Sequence, residues 1–376
     1  MTTADSSAEE TRQQPEKQVP EWSDIPRDIV ERVIGYLNWT DRIRIRAVCK
    51  AWSTPNHHVP GISKVPWALK INYGEYRLLD PFSGEYIIKD SSIWKEYLVK
   101  HFARPCASAY GWILLRKSLF YLQTERLFLY SPFTTEVIKL PDIGVPLPVL
   151  PMHQVYAFSL NATSPKCVIF LLHLRRYKIN IKLCSAGDHS WKSFEFNCGF
   201  DNPCGECAVN AVYAKGVFYC VFTGGQLGAF DVELEEWSIL ADHPLPGFPT
   251  ISANLIASGA DLWLLNRHVF QSFKLFKFDF SEMRWVYENN LNNRVLFIGT
   301  TSFSVAAVGV ETSELADTIF CLDGPSYSVR RYGSTYRTSR ESQLYRKCSE
   351  ATEFGMVWIE IPSGGIWRAN DLINAA

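Results

Sequence analysis

The sequence predicts a multidomain chain in which a small all-α module precedes a large all-β domain of repeated units. The 376 residues include 17 Tyr, 23 Phe and 12 Trp, and aromatic side chains favour strands. A helical pattern of apolar residues is found only between residues 22 and 60. From about Gly61 onward, short apolar or alternating runs are broken by Gly, Pro, Asp and Asn, as in an all-β array.

The first segment, residues 1–21, is predicted to be a disordered tail because it is polar and cannot bury enough apolar area to fold. It lacks the apolar stretch of a signal peptide, and no later run approaches the ~18 apolar residues of a membrane span. With scattered cysteines and a net charge of -1, the sequence predicts a reduced protein of the nucleus and/or cytoplasm. Neither nucleic acid nor a membrane is an expected partner.

The second segment, residues 22–60, carries the helical pattern. Ser23 or Asp24 is predicted to cap a first helix, with Pro26 in its first turn. Five apolar residues then fall within a stripe of about 140° at the helical period. They are Ile29, Val30, Val33, Ile34 and Leu37.

A second helix is predicted after Thr40-Asp41, although the alternation of Arg42 to Arg46 also suits a strand. The helix is preferred because apolar residues continue through Val48, Cys49 and Trp52. Fewer than forty residues cannot supply a core of their own. This apolar segment therefore docks either on the rest of the chain or on another protein.

The segments Trp22–Leu37 and Asp41–Trp52 together resemble an F-box. The family pattern is a Leu-Pro start, an amphipathic helix ending in Leu, and an Asp-led helix closing on Val-Cys-Lys-x-Trp. Ile25-Pro26 and Val48-Cys-Lys-Ala-Trp52 match this order and spacing, with Ile25 in place of the usual Leu.

The resemblance implies a three-helix motif over residues 22–60 that binds the Skp-type adaptor of a cullin-RING ubiquitin ligase. An exposed apolar helix stripe is the usual ligand of a hydrophobic groove. The residues expected to fill the adaptor surface are Ile25, Pro26, Ile29, Val30, Val33, Ile34 and Leu37. Those expected to divide between that surface and the motif's own small core are Ile43, Ile45, Val48, Cys49 and Trp52.

The third segment, residues 61–376, contains a degenerate repeat. Trp191, Trp237 and Trp285 follow one another at 237 − 191 = 46 and 285 − 237 = 48 residues. Asp80-Pro-Phe and Ser131-Pro-Phe are 131 − 80 = 51 residues apart, and each precedes an apolar strand. These spacings are typical of four-stranded propeller blades, so the sequence predicts a propeller-like domain of about six or seven blades.

Two further features support the propeller prediction. Val221-Phe-Thr-Gly-Gly225 is kelch-like, with a double glycine suited to a close turn. Gly355–Pro362 is predicted as a last strand that closes the ring beside Trp67–Ile71. With phrases such as Leu129-Tyr-Ser-Pro-Phe-Thr134, the layout is similar to plant F-box proteins with a C-terminal kelch-like domain of the KIB type. That resemblance implies recognition of a protein target.

Few motifs indicate chemistry. Cys204-Gly-Glu-Cys207 is one cysteine pair, and a zinc site would need Cys198, Cys220 or His189 to complete it. The preferred interpretation is a loop without metal, and no cofactor is expected. The basic stretch from Arg330 to Arg340, continuing to Lys347, is predicted as a solvated insertion, with contact to an acidic or phosphorylated target as the alternative.

The function expected from these features is that of a non-catalytic substrate-recognition subunit of an SCF ubiquitin ligase. The F-box would bind the adaptor and the propeller an unidentified protein substrate, so that catalysis proceeds by proximity. One alternative is a binding module that sequesters or inhibits its partner outside a ligase. Another is a propeller enzyme with carboxylates or a metal in its central channel.

Overall fold

The structure, a computed structural model, contains two units, Met1–Pro60 and Gly61–Ala376. It describes residues 22–36, 65–72, 75–80, 84–88, 103–119, 124–134, 136–143, 154–175, 178–200, 207–245, 253–267, 273–307, 315–323, 328–332, 339–341, 353–361 and 372–374.

The described part of the first unit is a 3-10 turn, Trp22–Asp24, followed by helix α1, Arg27–Tyr36. The backbone N–H groups of Ile29 and Val30 both donate to the carbonyl of Pro26, at 3.0 and 3.2 Å. Pro26 therefore supplies the first acceptor of the helix, and Ser23 and Asp24 lie in the turn before it. The second helix predicted after Thr40-Asp41 lies outside the described residues.

The second unit is built from strands, which we number along the chain. The first eleven are β1 (Trp67–Asn72), β2 (Glu75–Asp80), β3 (Gly84–Ile88), β4 (Arg104–Ala109), β5 (Trp112–Leu119), β6 (Thr124–Tyr130), β7 (Val137–Lys139), β8 (Gln154–Phe158), β9 (Val168–Arg175), β10 (Lys178–Ser185) and β11 (Lys192–Asn197). The next eight are β12 (Ala208–Ala214), β13 (Val217–Phe222), β14 (Leu227–Asp231), β15 (Glu236–Ala241), β16 (Ala253–Ser258), β17 (Asp261–Arg267), β18 (Phe273–Asp279) and β19 (Arg284–Glu288). The last seven are β20 (Arg294–Ile298), β21 (Phe303–Ala306), β22 (Thr318–Asp323), β23 (Ser328–Tyr332), β24 (Ser339–Glu341), β25 (Glu353–Ile359) and β26 (Leu372–Asn374).

These strands form six sheets, which are the blades of a six-bladed propeller. Their strand orders are β25-β1-β2-β3-β26 for blade 1, β4-β5-β6-β7 for blade 2, β8-β9-β10-β11 for blade 3, β12-β13-β14-β15 for blade 4, β16-β17-β18-β19 for blade 5 and β21-β20-β22-β23-β24 for blade 6. The innermost strands, β25, β4, β8, β12, β16 and β21, contact one another in series around the axis. The predicted propeller is confirmed, and the blade number is six.

The repeat found in the sequence corresponds to the outer half of a blade. Trp237 lies in β15 and Trp285 in β19, and Trp191 immediately precedes β11, so all three mark the outermost strand. The predicted turn at Gly225 joins β13 to β14, with Gly225 at φ +85° and its N–H donating to the Phe222 carbonyl at 2.8 Å. A positive φ at this position favours glycine.

The ring closes between strands from the two ends of the chain. Strand β25 pairs antiparallel with β1, placing Ile359 opposite Trp67 and Trp358 opposite Ala68. The indole Nε1 of Trp358 donates to the carbonyl of Ile298 in blade 6 at 3.1 Å. The closing strand predicted from Gly355–Pro362 is confirmed.

The apolar core of the propeller lies between successive blades. In β9, Ile169 and Leu171 pack toward blade 2, whereas Phe170 and Leu172 pack toward blade 4. Successive side chains of a strand point to opposite faces of its sheet. Both faces of a blade are covered by neighbours, which explains why Val168–Leu172 of β9 is an uninterrupted apolar run rather than an alternating one.

Blade 6 departs from the simple order of blades 2 to 5. Strand β20 pairs antiparallel with β21 and parallel with β22, so the innermost strand follows the second strand along the chain. The basic stretch after Arg330 is not a single insertion, because Arg330, Arg331 and Tyr332 in β23 pair with β24. Residues 333–338, within that stretch, lie outside the described residues.

Candidate functional site

The first candidate surface is the apolar side of α1. Ile29 and Val33 are 43% and 41% exposed, although Val30, on the same helix, is only 2% exposed. Ile29 and Val33 are four residues apart and therefore lie one above the other on the same face of the helix. Trp22, in the preceding turn, is 63% exposed. A surface of this kind is suited to a partner that covers apolar side chains.

The other residues predicted at the adaptor contact have different environments. Pro26 is exposed and Ile25 is partly buried. Ile34 lies in the last turn of α1. The remaining predicted residues, Leu37, Ile43, Ile45, Val48, Cys49 and Trp52, lie outside the described residues, so their roles stay predictions of the sequence.

The second candidate is a cavity of about 350 Å³ at the axis of the propeller, which we call the channel cavity. Its walls come from the inner strands β4, β8, β12 and β16, with Arg116 from β5 and two residues that follow β20. The lining residues are Arg104, Pro105, Cys106, Arg116, Gln154, Val155, Tyr156, Val209, Asn210, Ala211, Ala253, Asn254, Gly299 and Thr300.

A hydrogen-bonded network forms one wall of the channel cavity. The Tyr156 hydroxyl donates to Gln154 Oε1 at 2.6 Å, and Arg116 Nη1 donates to the same oxygen at 3.4 Å. Arg116 Nη1 also lies 3.6 Å from Glu125 Oε1, and both side chains are largely buried. Because a guanidinium is only a donor, the Gln154 atom facing it must be the carbonyl oxygen.

Two ionisable side chains of this wall, Cys106 and Tyr156, are neutral at physiological pH. Burial raises the pKa of Cys106 to about 12, and its thiol donates to the carbonyl of Leu114 at 3.2 Å. Burial also raises the pKa of the Tyr156 phenol. A thiol must ionise to act as a nucleophile or a metal ligand. Cys106 is therefore a structural thiol, and the charge of this wall comes from its arginines and Glu125.

A loop that follows β20, residues 299–302, crosses the propeller axis. The amide of Asn210 in β12 donates to the Thr300 carbonyl at 3.3 Å, and the Ser108 N–H in β4 donates to Thr301 Oγ1 at 2.8 Å. Ser302 Oγ donates to Asn254 Oδ1 in β16 at 3.3 Å. The axial loop thus joins the inner strands of blades 2, 4 and 5 and forms part of the cavity wall.

The predicted cysteine pair is only partly described. Cys207 is partly buried and Cys198 is buried, whereas Cys204 lies outside the described residues. Cys220 is fully buried between blades 3 and 4, away from solvent, and His189 is exposed. In the part of the chain that the structure describes, no three His, Cys, Asp or Glu side chains are grouped closely enough to hold a metal ion. Nor does any helix there have the length and apolar character needed to cross a bilayer.

Comparison with known families finds a match in each of the two units. Residues 88–344 match the KIB1-4 beta-propeller family, and residues 22–54 match the F-box domain. The propeller match covers more than half of the chain. The chain belongs to the KIB1-4 beta-propeller family. It is a plant-type F-box protein with a KIB1-4 propeller.

Two Arabidopsis thaliana proteins are similar to this KIB1-4 propeller protein over most of its length. The Arabidopsis thaliana "F-box/kelch-repeat protein At1g57790" is 25% identical over 292 residues, which are 75% of this chain and 77% of that protein. The Arabidopsis thaliana "F-box protein At3g56470" is 25% identical over 344 residues, 90% of this chain and 88% of the relative. The crystal structure of TolB from Acinetobacter baumannii covers 80% of this chain and 67% of its own at a TM-score of 0.43 and 12% identity, too low to bear on function.

The sequence did not indicate which residues line the channel cavity of this KIB1-4 propeller. Its polar residues lie far apart along the chain, from Arg104 in blade 2 to Thr300 after β20 of blade 6. No local motif links them, because ring closure alone brings the inner strands together. Trp22, the most exposed apolar residue among the described residues 22–36, was part of the F-box resemblance but not of the predicted contact set.

Proposed function

We propose that this protein is a substrate-recognition subunit of an SCF ubiquitin ligase. The F-box segment binds a Skp-type adaptor and, through it, a cullin-RING ligase, and the propeller binds a protein substrate. The F-box match over residues 22–54 and the F-box relatives of similar length support this role. The proposal includes a three-helix F-box over residues 22–60 and a location in the nucleus and/or cytoplasm.

The observation that carries the proposal is the exposed pair Ile29 and Val33 on α1, within the segment matched to the F-box. Roughly two-fifths of each side chain is open to solvent. Covering apolar surface contributes about 25 cal/mol per Å², so a groove that accepts this face gains from both residues. An amphipathic helix in a hydrophobic groove is a recurrent mode of recognition.

The proposed role requires no chemical group from this chain. A recognition subunit accelerates ubiquitin transfer by holding the substrate near the charged enzyme, which is catalysis by proximity. The groups that form the polar wall of the channel cavity fit a binding role, since Cys106 and Tyr156 stay protonated at physiological pH.

The proposal is tested by binding of the full-length chain to a purified Skp-type adaptor. Because Ile29→Ala/Val33→Ala removes apolar area that the complex covers, we expect an affinity about 10- to 100-fold lower, equal to roughly 1.4–2.8 kcal/mol. The matched control is Asp28→Ala, an exposed residue on the flank of α1, which should bind as the wild type does.

Absence of binding by folded wild-type protein would contradict the adaptor role. Equal binding by the double variant and the wild type would show that the α1 face is not the contact. In either case the circular dichroism spectrum of each preparation must match that of a folded β-rich protein.

A further inference from the structure

The channel cavity has a charge that the rest of the chain does not share. The formal net charge of the protein is -1, yet two arginines and no Asp or Glu are found among the described residues that line the cavity. The two arginines have different surroundings, and that difference determines what the cavity can bind.

Arg116 is already compensated. Its guanidinium lies 3.6 Å from the Glu125 carboxylate and donates to Gln154 Oε1 at 3.4 Å. Its side chain is 13% exposed, so this pair is a fixed part of the wall. Arg116 orients Gln154 and adds little net charge.

Arg104 is the uncompensated charge. It is the first residue of the inner strand β4, it is exposed, and its guanidinium makes no hydrogen bond or ion pair with any described residue. A guanidinium offers five N–H donors in a planar fork, which matches the two oxygens of a carboxylate or of a phosphate.

Gln154 supplies neutral donors beside this charge. Its Oε1 accepts from both Tyr156 and Arg116, which fixes the orientation of the amide. The amide Nε2, with two N–H groups, makes no hydrogen bond among the described residues and belongs to a side chain that lines the cavity. Gln154 begins β8, the inner strand next to β4, so both donors are at the same end of adjacent strands.

The size and the neutral groups of the cavity also fit a small charged ligand. A volume of about 350 Å³ is at the lower end of the range for ligand pockets, roughly 300–1,000 Å³. The axial loop through Gly299 and Thr300 forms part of the wall, so the cavity suits a side chain rather than a helix. The partly buried Cys106 thiol and the buried Tyr156 phenol stay neutral and do not repel an anion.

We propose that the channel cavity binds a compact oxyanion, a carboxylate or a phosphate, carried by a side chain of the protein substrate. Arg104 pairs with the oxyanion and the Gln154 amide donates to it. This inference rests on the proposed function for the identity of the partner. The anion site itself is a property of the propeller and is testable without the adaptor.

The experiment titrates the full-length chain with inorganic phosphate and, separately, with glutarate, while sodium chloride maintains a constant ionic strength. Ligands that bind only the folded state raise its melting temperature as their concentration rises. We expect a saturable rise for the wild type and at least a tenfold weaker response for Arg104→Gln. Arg284→Gln, which removes an exposed arginine of β19 outside the cavity, should respond as the wild type does.

A second variant tests the amide. In Gln154→Glu, a carboxylate oxygen still accepts from Tyr156 and Arg116, so the wall is kept while a negative charge replaces the donor. We expect the anion response to fall at least tenfold. A response to phosphate alone would assign the cavity to a phosphorylated side chain, and a response to glutarate would assign it to Asp or Glu.

The inference is overturned if neither anion gives a saturable response, or if Arg104→Gln responds as the wild type does. Adaptor binding, measured on the same preparations, separates this failure from failure of the proposed function. Wild-type protein that binds adaptor but no anion retains the ligase role and loses the cavity site. Protein that binds anion but no adaptor shows the reverse.

Discussion

Gly228, in the third strand of blade 4, shows how closely a blade is packed at a single residue. A Cβ at this position would lie 2.1 Å from Cζ2 and 2.3 Å from Cη2 of Trp237. We expect Gly228→Ala to destabilise the protein by about 1–3 kcal/mol, because the indole must move within a filled core. Thermal unfolding measures the loss.

The control for this prediction is the double variant Gly228→Ala/Trp237→Phe. The two clashing atoms belong to the six-membered ring of the indole, beyond the reach of a phenyl ring. The double variant should therefore lose less stability than the sum of the two single variants. Additive losses would show that the strain at Gly228 has another origin.

Glu360 provides a pH-dependent contact at the residue scale. Burial raises the pKa of its carboxyl, and the hydrogen bond from the Tyr110 N–H, at 2.6 Å, acts in the opposite direction. The folded state therefore holds the proton more tightly than the unfolded chain does. Stability from this group is present at low pH and falls as the pH rises above about 4.3, the ordinary glutamate value.

We expect Glu360→Gln to keep the hydrogen bond from Tyr110 through its amide oxygen and to lose the pH dependence. The melting temperature of the variant should exceed that of the wild type near neutral pH, and the difference should shrink toward about pH 5. Glu236→Gln, an exposed position on β15, serves as the control. If the difference in melting temperature between Glu360→Gln and the wild type does not change with pH, Glu360 is not the source of the pH dependence.

The sequence predicted single residues well where they recur at a regular spacing. It predicted them poorly where residues from different blades meet in space. Trp237 and Trp285 were found by their spacing, because each occupies an equivalent place in a blade. Arg104 and Gln154 have no repeat and no neighbouring motif. Their importance comes from two different strands, β4 and β8, that begin at the same end of the propeller axis, and the spacing of residues along the chain cannot show this.

At the scale of elements, tryptophan side chains tie neighbouring blades together through backbone carbonyls. Trp191 Nε1 donates to the Pro141 carbonyl at 2.8 Å, from blade 3 to blade 2. Trp285 Nε1 donates to the Gly225 carbonyl at 2.8 Å, from blade 5 to blade 4. The indoles thus satisfy carbonyls in turns and at strand ends that lie beyond their own sheet.

Comparing Trp285 with Trp237 measures how much the hydrogen bond of the indole N–H contributes to stability. Trp237 Nε1 is buried with no hydrogen-bond partner in the described structure, whereas Trp285 Nε1 has one. Both Trp→Phe substitutions remove similar ring area, but only Trp285→Phe breaks a bond. We expect it to cost about 1 kcal/mol more, measured by urea unfolding. Equal losses would mean that the indole N–H contributes nothing.

Element types were predictable, but the order within blade 6 was not. The turn glycines and the apolar runs indicate strands and their ends. The parallel pairing of Val295 with Thr318 depends on β21 folding back to the axis between them. No residue type marks that choice, since the apolar residues of β20 suit either an inner or a second strand.

At the scale of the whole molecule, the ring depends on β25. Val357, Trp358 and Ile359 are fully buried, and Ser108 Oγ donates to the Trp358 carbonyl at 2.5 Å. Full burial of one such side chain is worth roughly 1.5–3 kcal/mol, so their combined loss is comparable to the stability of a domain, about 5–15 kcal/mol. We expect a chain lacking residues 353–376 to lose cooperative thermal unfolding.

The control for this deletion is a chain lacking only residues 362–376. It retains β25 and loses β26, which pairs with the outer edge of β3. We expect one cooperative transition at a lower temperature. If the two shortened chains show the same thermal unfolding, the pairing of β25 with β1 is not what stabilises the propeller.

The closure itself was predictable because Gly355–Pro362 is an isolated apolar strand after a polar stretch and β1 needed a partner. The number of blades was not, since the repeat is degenerate and spacings of 46 to 51 residues allow six or seven units in the same chain. The strand pairing shows six.

Because β25 closes the ring, the propeller can close only after nearly the whole chain has been synthesised. Strand β1 begins 353 − 67 = 286 residues before β25. At about 5–20 residues per second, the ribosome needs on the order of tens of seconds to make that interval. The segment matched to the F-box, residues 22–54, is complete before even β1 emerges. A chain interrupted anywhere between β1 and residue 353 therefore carries the whole F-box segment and no closed propeller.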